Sequence, residues 1–266
     1  MSAFSDFLEN ELMDHMFRNS VYSKPALHFA LFTAAPSDSG GGTEVTGGSY
    51  ARATVTNDNT AFPQCAATGT PTKTNALAIT FPTASAAWGT VTHWGIFDAS
   101  TSGNLLAHGA LASTRTIASG DVPRLAVGAI SLTMSNAVSG GLTDFAKRKL
   151  LDHVFGGPAY TPIATLYTGL GTALSGETIT EWADTAYTRQ ATGFDAASGG
   201  ACINADAETY TDGGGADDVA TLTHFGVWDD SGAGNLLAVG PLGASRSIVA
   251  TDAVTLPDGS LSISLQ

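Results

Sequence analysis

Apolar residues near the start of the chain fall at Phe4, Phe7, Leu8, Leu12, Met13, Met16 and Phe17. Spacings of three and four put them on one face of a helix. Ser2 or Ser5 can cap its start with a side-chain oxygen, and Asn19-Ser20 can end it. The pattern returns at Leu142, Phe145, Ala146, Leu150, Leu151, Val154 and Phe155, with Thr143 as cap and Gly156-Gly157-Pro158 as a sharper stop. After the first helix the period turns strand-like, over 26–33, 50–56, 76–81, 90–97, 105–111, 115–118 and 125–134. Turn clusters such as Asn57-Asp58-Asn59 and Ser119-Gly120-Asp121 separate these runs. The part after the second helix reads the same way. About seven short strands with no helical pattern between them predict an antiparallel sandwich or barrel. The expected fold is therefore mainly β (α+β): two tandem antiparallel β-sandwich or barrel modules, each preceded by an N-terminal amphipathic helix.

The two modules are copies. Asp6, Phe7, Leu12, Asp14, His15, Phe17 and Tyr22 match Asp144, Phe145, Leu150, Asp152, His153, Phe155 and Tyr160 without a gap. Tyr50 and Arg52 match Tyr187 and Arg189, Thr92-His93-Trp94-Gly95 matches Thr223-His224-Phe225-Gly226, and Gly103-Asn104-Leu105-Leu106 matches Gly234-Asn235-Leu236-Leu237. Several ordered blocks with a slowly drifting offset mean duplication, here of a unit long enough to be a domain. The division falls in a Ser/Gly stretch, giving modules 1–136 and 137–266. An apolar stripe as wide as that of the first helix must be covered. It docks on its own sheet, or it is an arm whose Phe4, Phe7, Leu8, Leu12 and Met16 contact a neighbouring subunit.

Composition narrows the function. Lys and Arg total 11 against 24 Asp and Glu, for a net charge of -13. That argues against nucleic-acid binding, which needs cations to neutralise phosphate. No 18-residue apolar run spans a membrane, and the start has neither the basic nor the apolar region of a signal peptide, so folding in a cytoplasm is expected. Cys65 and Cys202, one per copy, read as equivalent buried thiols rather than a disulfide. Scarce cations that recur at matched places, Arg52 with Arg189 and Arg115 with Arg246, should have fixed acidic partners. Asp98/Asp229 and Asp121/Asp252, which recur in both copies, are the matching candidates. These are ion pairs within a module or contacts between subunits.

Candidate chemistry is thin. Gly40-Gly41-Gly42 and Gly47-Gly48 lack the Lys-Ser/Thr of a phosphate loop and have no glycine counterpart in the second copy, so they read as turns. His93 and His224 lie mid-strand with no Gly-x-Ser-x-Gly elbow, and read as structural. The histidines and cysteines show no metal-ligand spacing. The acidic turn 212–218 lacks a calcium-loop register. A carbohydrate-active site would need paired carboxylates about 5–10 Å apart, and only Asp98/Asp229 and Asp121/Asp252 recur in both copies. No catalytic, cofactor or metal residues are assigned.

Leu31-Phe32-Thr33-Ala34-Ala35-Pro36, Thr43-Glu44-Val45-Thr46-Gly47-Gly48-Ser49-Tyr50-Ala51-Arg52 and Trp88-Gly89-Thr90-Val91-Thr92-His93-Trp94-Gly95-Ile96-Phe97-Asp98 form one pattern. It resembles a family of small proteins encoded among the structural genes of tailed bacteriophages, often labelled tail-fibre-like. The resemblance implies a virion structural protein, assembled in the host cytoplasm, with no enzymatic activity and no cofactor. Its partners would be other virion proteins, either the major capsid protein or tail proteins. The chain has no heptad or collagen-like shaft. A trimer of it would present six similar modules to a symmetric lattice. The first expectation is therefore a homo-oligomeric capsid decoration or cement protein. The alternative is a tail-fibre or tail-tip component that touches the host receptor.

Overall fold

The computed structural model describes residues 2–135, 141–184, 186–212, 220–249 and 252–265. The expected division at 136/137 and most of the acidic turn 212–218 lie outside them. The first module runs β1 (Ser2–Phe4), α1 (Asp6–Phe17), β2 (Leu27–Ala34), β3 (Thr43–Glu44), β4 (Ala53–Val55), β5 (Thr72–Thr74), β6 (Ile79–Thr80), β7 (Gly89–Phe97), β8 (Leu105–Ile117), β9 (Arg124–Leu125) and β10 (Ser131–Thr133). The second runs β11 (Gly141–Leu142), α2 (Asp144–Val154), β12 (Leu166–Ser175), β13 (Thr178–Glu181), β14 (Gln190–Thr192), β15 (Ala201–Ile203), β16 (Glu208–Thr211), β17 (Ala220–Trp228), β18 (Leu236–Ile248), β19 (Ala253–Leu256) and β20 (Ser262–Ser264).

The mainly-β class, the two sheet-rich modules and the two helices are as the pattern predicts. Each module has one six-stranded antiparallel sheet. Its order is β1-β8-β7-β2-β3 with β4 on β2 in the first, and β11-β18-β17-β12-β13 with β14 on β12 in the second. Two-stranded ribbons complete each: β5–β10 and β6–β9, then β15–β20 and β16–β19. The expected strands 105–111 and 115–118 are one strand, β8. Register jumps from Val91↔Arg115 to His93↔Ala110, so Leu111 to Thr114 bulge opposite the single residue Thr92. The bulge recurs at Leu242 to Ser245, opposite Thr223. The expected strand 125–134 is two short ones, β9 and β10, with Gly128 at a φ of +74° in the turn between them.

The chain divides into two compact units that follow the sheets but not the helices. Unit 1 comprises Met1–Glu9, Ser23–Met134 and Lys149–Tyr160; unit 2 comprises Asn10–Tyr22, Ser135–Arg148 and Thr161–Gln266. Each sheet is thus completed by helical residues from beyond the linear division. In unit 1, Phe29 of β2 stacks on Phe62 at 6.1 Å, and Phe62 meets Phe155 at 6.2 Å between ring centroids. Leu150, Leu151, Val154 and Phe155 are fully buried there. In unit 2, Phe17 meets Phe194 edge-on at 5.4 Å, and Leu12, Met13 and Met16 are fully buried.

Both helices start as expected. Ser5 Oγ accepts the Leu8 N–H at 3.2 Å, and Thr143 Oγ1 accepts the Ala146 N–H at 3.3 Å. After each helix a buried histidine holds the returning chain: His15 Nδ1 accepts the Tyr22 N–H in unit 2, and His153 Nδ1 accepts the Tyr160 N–H in unit 1, both at 3.1 Å. The end of α2 is fixed by Asn57. Its Nδ2 donates to the Val154 carbonyl at 2.7 Å, and its Oδ1 accepts the Gly156 N–H at 2.6 Å. Gly156 has a φ of +81°, and a Cβ there would lie 2.2 Å from the Phe62 carbonyl oxygen, so only glycine fits.

The cysteines are not equivalent, contrary to the sequence reading. Cys202 lies in β15 opposite Ile263, the place that Lys73 holds in β5 opposite Leu132. Cys65 lies in the loop before β5. Both thiols are free. Burial, with Asp152 and Asp14 respectively next in effect, raises Cys65 to about 11 and Cys202 to about 12.

Candidate functional site

The two matched arginines nearest the middle of each module build the same internal clasp. Arg52 Nε and Nη2 donate to the Glu44 carboxylate at 2.9 and 2.7 Å. Its Nη1 donates to the carbonyls of Ala99 at 2.9 Å and Ser102 at 2.6 Å, and its guanidinium lies 3.5 Å over the Phe97 ring. Tyr50 donates its hydroxyl proton to Glu44 at 2.9 Å and accepts the Leu31 N–H at 3.0 Å. In unit 2, Arg189 repeats this with Glu181 at 2.8 Å, the carbonyls of Asp230 and Gly232, and the Trp228 ring at 3.8 Å. Tyr187 bridges Glu181 and Leu170 in the same way. Burial, first, pushes both tyrosine hydroxyls well above their ordinary range.

The acidic partners are therefore Glu44 and Glu181, not the aspartates expected from sequence. Asp98 instead accepts the Asn104 N–H and Nδ2 at 2.7 and 2.8 Å, and Asp229 holds Asn235 likewise. Asp121 and Asp252 cap turns through the N–H groups of Ala118 and Val249. Sequence reasoning missed the glutamates; the signal that marks them is a shared spacing, each standing six residues before the Tyr of a Tyr-x-Arg. A bidentate, stacked arginine cannot be replaced by a point charge. Arg52→Lys and Arg189→Lys should each cost about 1.5–3 kcal/mol in chemical denaturation.

Of the proposed contact residues near the start of the chain, Phe4 of β1 and Leu8, Leu12 and Met16 of α1 are buried inside the chain, and Phe7 is half-buried. Phe4 and Leu8 belong to unit 1, Leu12 and Met16 to unit 2. Arg115 and Arg246 are exposed and make no ion pair among the described residues.

Phe7 opens onto a cleft of about 590 Å³ in unit 1, lined also by Asp6, Asp38, Gly40 to Gly42, Arg52 and Asn104. The turn 37–42 anchors the helix start here, with the Asp6 N–H donating to the Asp38 carbonyl at 3.0 Å, and His108 Nε2 lies 2.9 Å from the Asp38 carboxylate. In unit 2 the Glu177 side chain takes over, accepting the Asp144 N–H at 2.8 Å. The glycine turn is thus a scaffold feature that the second copy replaces by a carboxylate.

His93 and His224 are half-buried, with Nδ1 at 2.8 and 2.7 Å from the hydroxyls of Thr92 and Thr223. Since Asp98 and Asp229 are taken by asparagines, the carboxylate that a Thr-His relay would need is not supplied by them. Among the described residues, no three His, Cys, Asp or Glu side chains are grouped to hold a metal ion.

Two carboxyls, Glu208 buried and Glu9 half-buried, respond to pH instead. Glu208 is raised to about 7, chiefly by burial, and Glu9 also to about 7, by burial and then by Asp38 and Asp6. Glu208 stands opposite Leu256 where unit 1 has Ile79 opposite Leu125. Both folded values lie above the ordinary 4.5. Their contribution is therefore fully present below that value and is lost as pH rises through about 7. Stability should fall across this window, and Glu208→Gln should flatten the Glu208 part of the fall, as read from melts at stepped pH.

The geometry shows two repeats of one scaffold, each held by the same arginine clasp. The family model for podophage GP4 fiber I protein gp80 matches the chain twice, over residues 3–133 and 141–264. The chain belongs to that family. Both repeats of the sheet-rich module are covered, so the duplication is one of whole family units. Membership makes the chain a bacteriophage structural protein of the fibre type, at home in the virion with other virion proteins as its company. No curated protein matches it.

Proposed function

We propose that the chain is a non-enzymatic fibre component of the virion, mounted on the tail and contributing to contact with the host receptor. The observation that carries this reading is the double match to a fibre family across nearly the whole chain. Capsid decoration, the first expectation from sequence, has no comparable support. It leaned on the first helix as a clasp for a neighbour, and most of that stripe is buried within the chain. Assembly as a homo-oligomer, with a trimer as the expected form, belongs to the same proposal. Gold-labelled antibody against the chain, applied to intact virions, is expected to mark the tail. Labelling spread over the head would contradict the tail assignment and revive decoration.

A further inference from the structure

Arg115 and Arg246 gain meaning from the fate of the other cations. Arg18, Arg52, Lys73, Lys147, Arg148 and Arg189 sit in ion pairs, Lys24 donates to the Gly157 carbonyl, and Lys149 is likewise engaged. Among the described residues this leaves Arg115, Arg124 and Arg246, all three exposed. They are not scattered. Arg115 and Arg124 line one groove of about 130 Å³ in unit 1, between the outer part of β8 and residues 123–126. Arg246 lines the matching groove of about 230 Å³ in unit 2, between 246–248 and 252–255, together with Asp252, whose carboxylate accepts the Val249 N–H.

Two further features coincide there. Val122, Val127 and Val249, 55%, 61% and 52% exposed, stand next to these segments in sequence. The strand edge is also open. β1 covers β8 only at Ala107 to Gly109, and β11 covers β18 only at Ala238 and Val239. Beyond those residues no second strand pairs with β8 or β18 among the described residues. Each groove is thus lined by an arginine outside the ion pairs on the outer part of a strand whose far edge carries no second strand, and exposed valines flank the lining segments in sequence.

We propose that the two grooves dock an extended, acidic segment of another virion protein. Its carboxylates would meet Arg115 and Arg124 in the first groove or Arg246 in the second, its apolar side chains the flanking valines, and its main chain the open strand edge. On a chain of net charge -13, grooves lined by the three cations that make no ion pair among the described residues select for an acidic partner. A second copy of the same edge is the poorer occupant. Edge-to-edge pairing would set arginine against arginine. Three cations are also too few to hold nucleic acid on so acidic a chain. The inference rests on the virion assignment, not on the tail placement.

The test uses the full chain and two capped heptapeptides, one alternating glutamate with valine, the other lysine with valine. The acidic peptide should slow amide exchange over 111–117 and 246–249 and bind about tenfold more tightly than the basic one. The triple variant Arg115→Glu, Arg124→Glu, Arg246→Glu, with an unchanged melt, should lose about tenfold in that affinity. Equal binding of both peptides, no protection at millimolar acidic peptide, or an unaffected triple variant would overturn the proposal. Self-association of the chain that the triple variant abolishes would assign the grooves to a second copy instead. Gold labelling of virions is read independently, so either claim can fail alone.

Discussion

Lys73→Met should destabilise unit 1 by about 3–5 kcal/mol, because it leaves a buried carboxylate without its counter-charge. Lys73 is fully buried, with Nζ 2.5 Å from Asp152 Oδ1 and donating to the Pro63 carbonyl at 2.7 Å. Asp152 is itself buried and also accepts the Cys65 N–H at 2.8 Å. Adding Asp152→Asn should restore much of the loss, since the amide oxygen keeps the Cys65 bond and the orphaned charge is gone. Urea denaturation of the single and double variants measures both. A single-variant loss under about 1 kcal/mol would mean that the pair is solvated rather than buried. Unit 2 should be spared: Cys202 takes the place of Lys73 there, and Asp14 finds its cation on its own helix, Arg18, at 3.2 Å.

The second large effect is a crosswise one. Leu12→Ala and Leu150→Ala each remove a fully buried leucine and should cost about 2–5 kcal/mol. The loss should appear away from the substituted residue's own linear module. Leu12 belongs to unit 2 and Leu150 to unit 1. Hydrogen exchange should therefore accelerate over 161–212 and 220–249 for Leu12→Ala, and over 23–134 for Leu150→Ala. The opposite assignment, each leucine loosening its own module, would show that the helices complete the sheets that follow them.

That crosswise arrangement could not be read from the sequence. A stripe at positions 4 to 17 says that it must be covered, not by what. The two helices match residue for residue over their apolar positions, so either fits either sheet by pattern alone. The caps were legible, because Ser5 and Thr143 do local work that needs no tertiary partner. So were β2, β7 and β8, whose apolar runs are long. β3 and β5 were not: Thr43-Glu44 and Thr72-Lys73-Thr74 are short and polar, and a lysine between threonines gives no hint of burial. The arginines were singled out by scarcity and recurrence, and Arg52 and Arg189 do have fixed acidic partners. Those partners were misassigned because Asp98 and Asp229 align openly in the two copies, whereas Glu44 and Glu181 lie where the copies diverge. For Arg115 and Arg246, recurrence without an internal partner points outward.

The placement of the chain on the tail is tested most directly by its copy number per virion, set against the major capsid protein by quantitative mass spectrometry. A fibre component on the tail predicts a handful of copies, far below the shell protein. A number on the order of hundreds, in fixed ratio to the shell as lattice symmetry would impose, would contradict it.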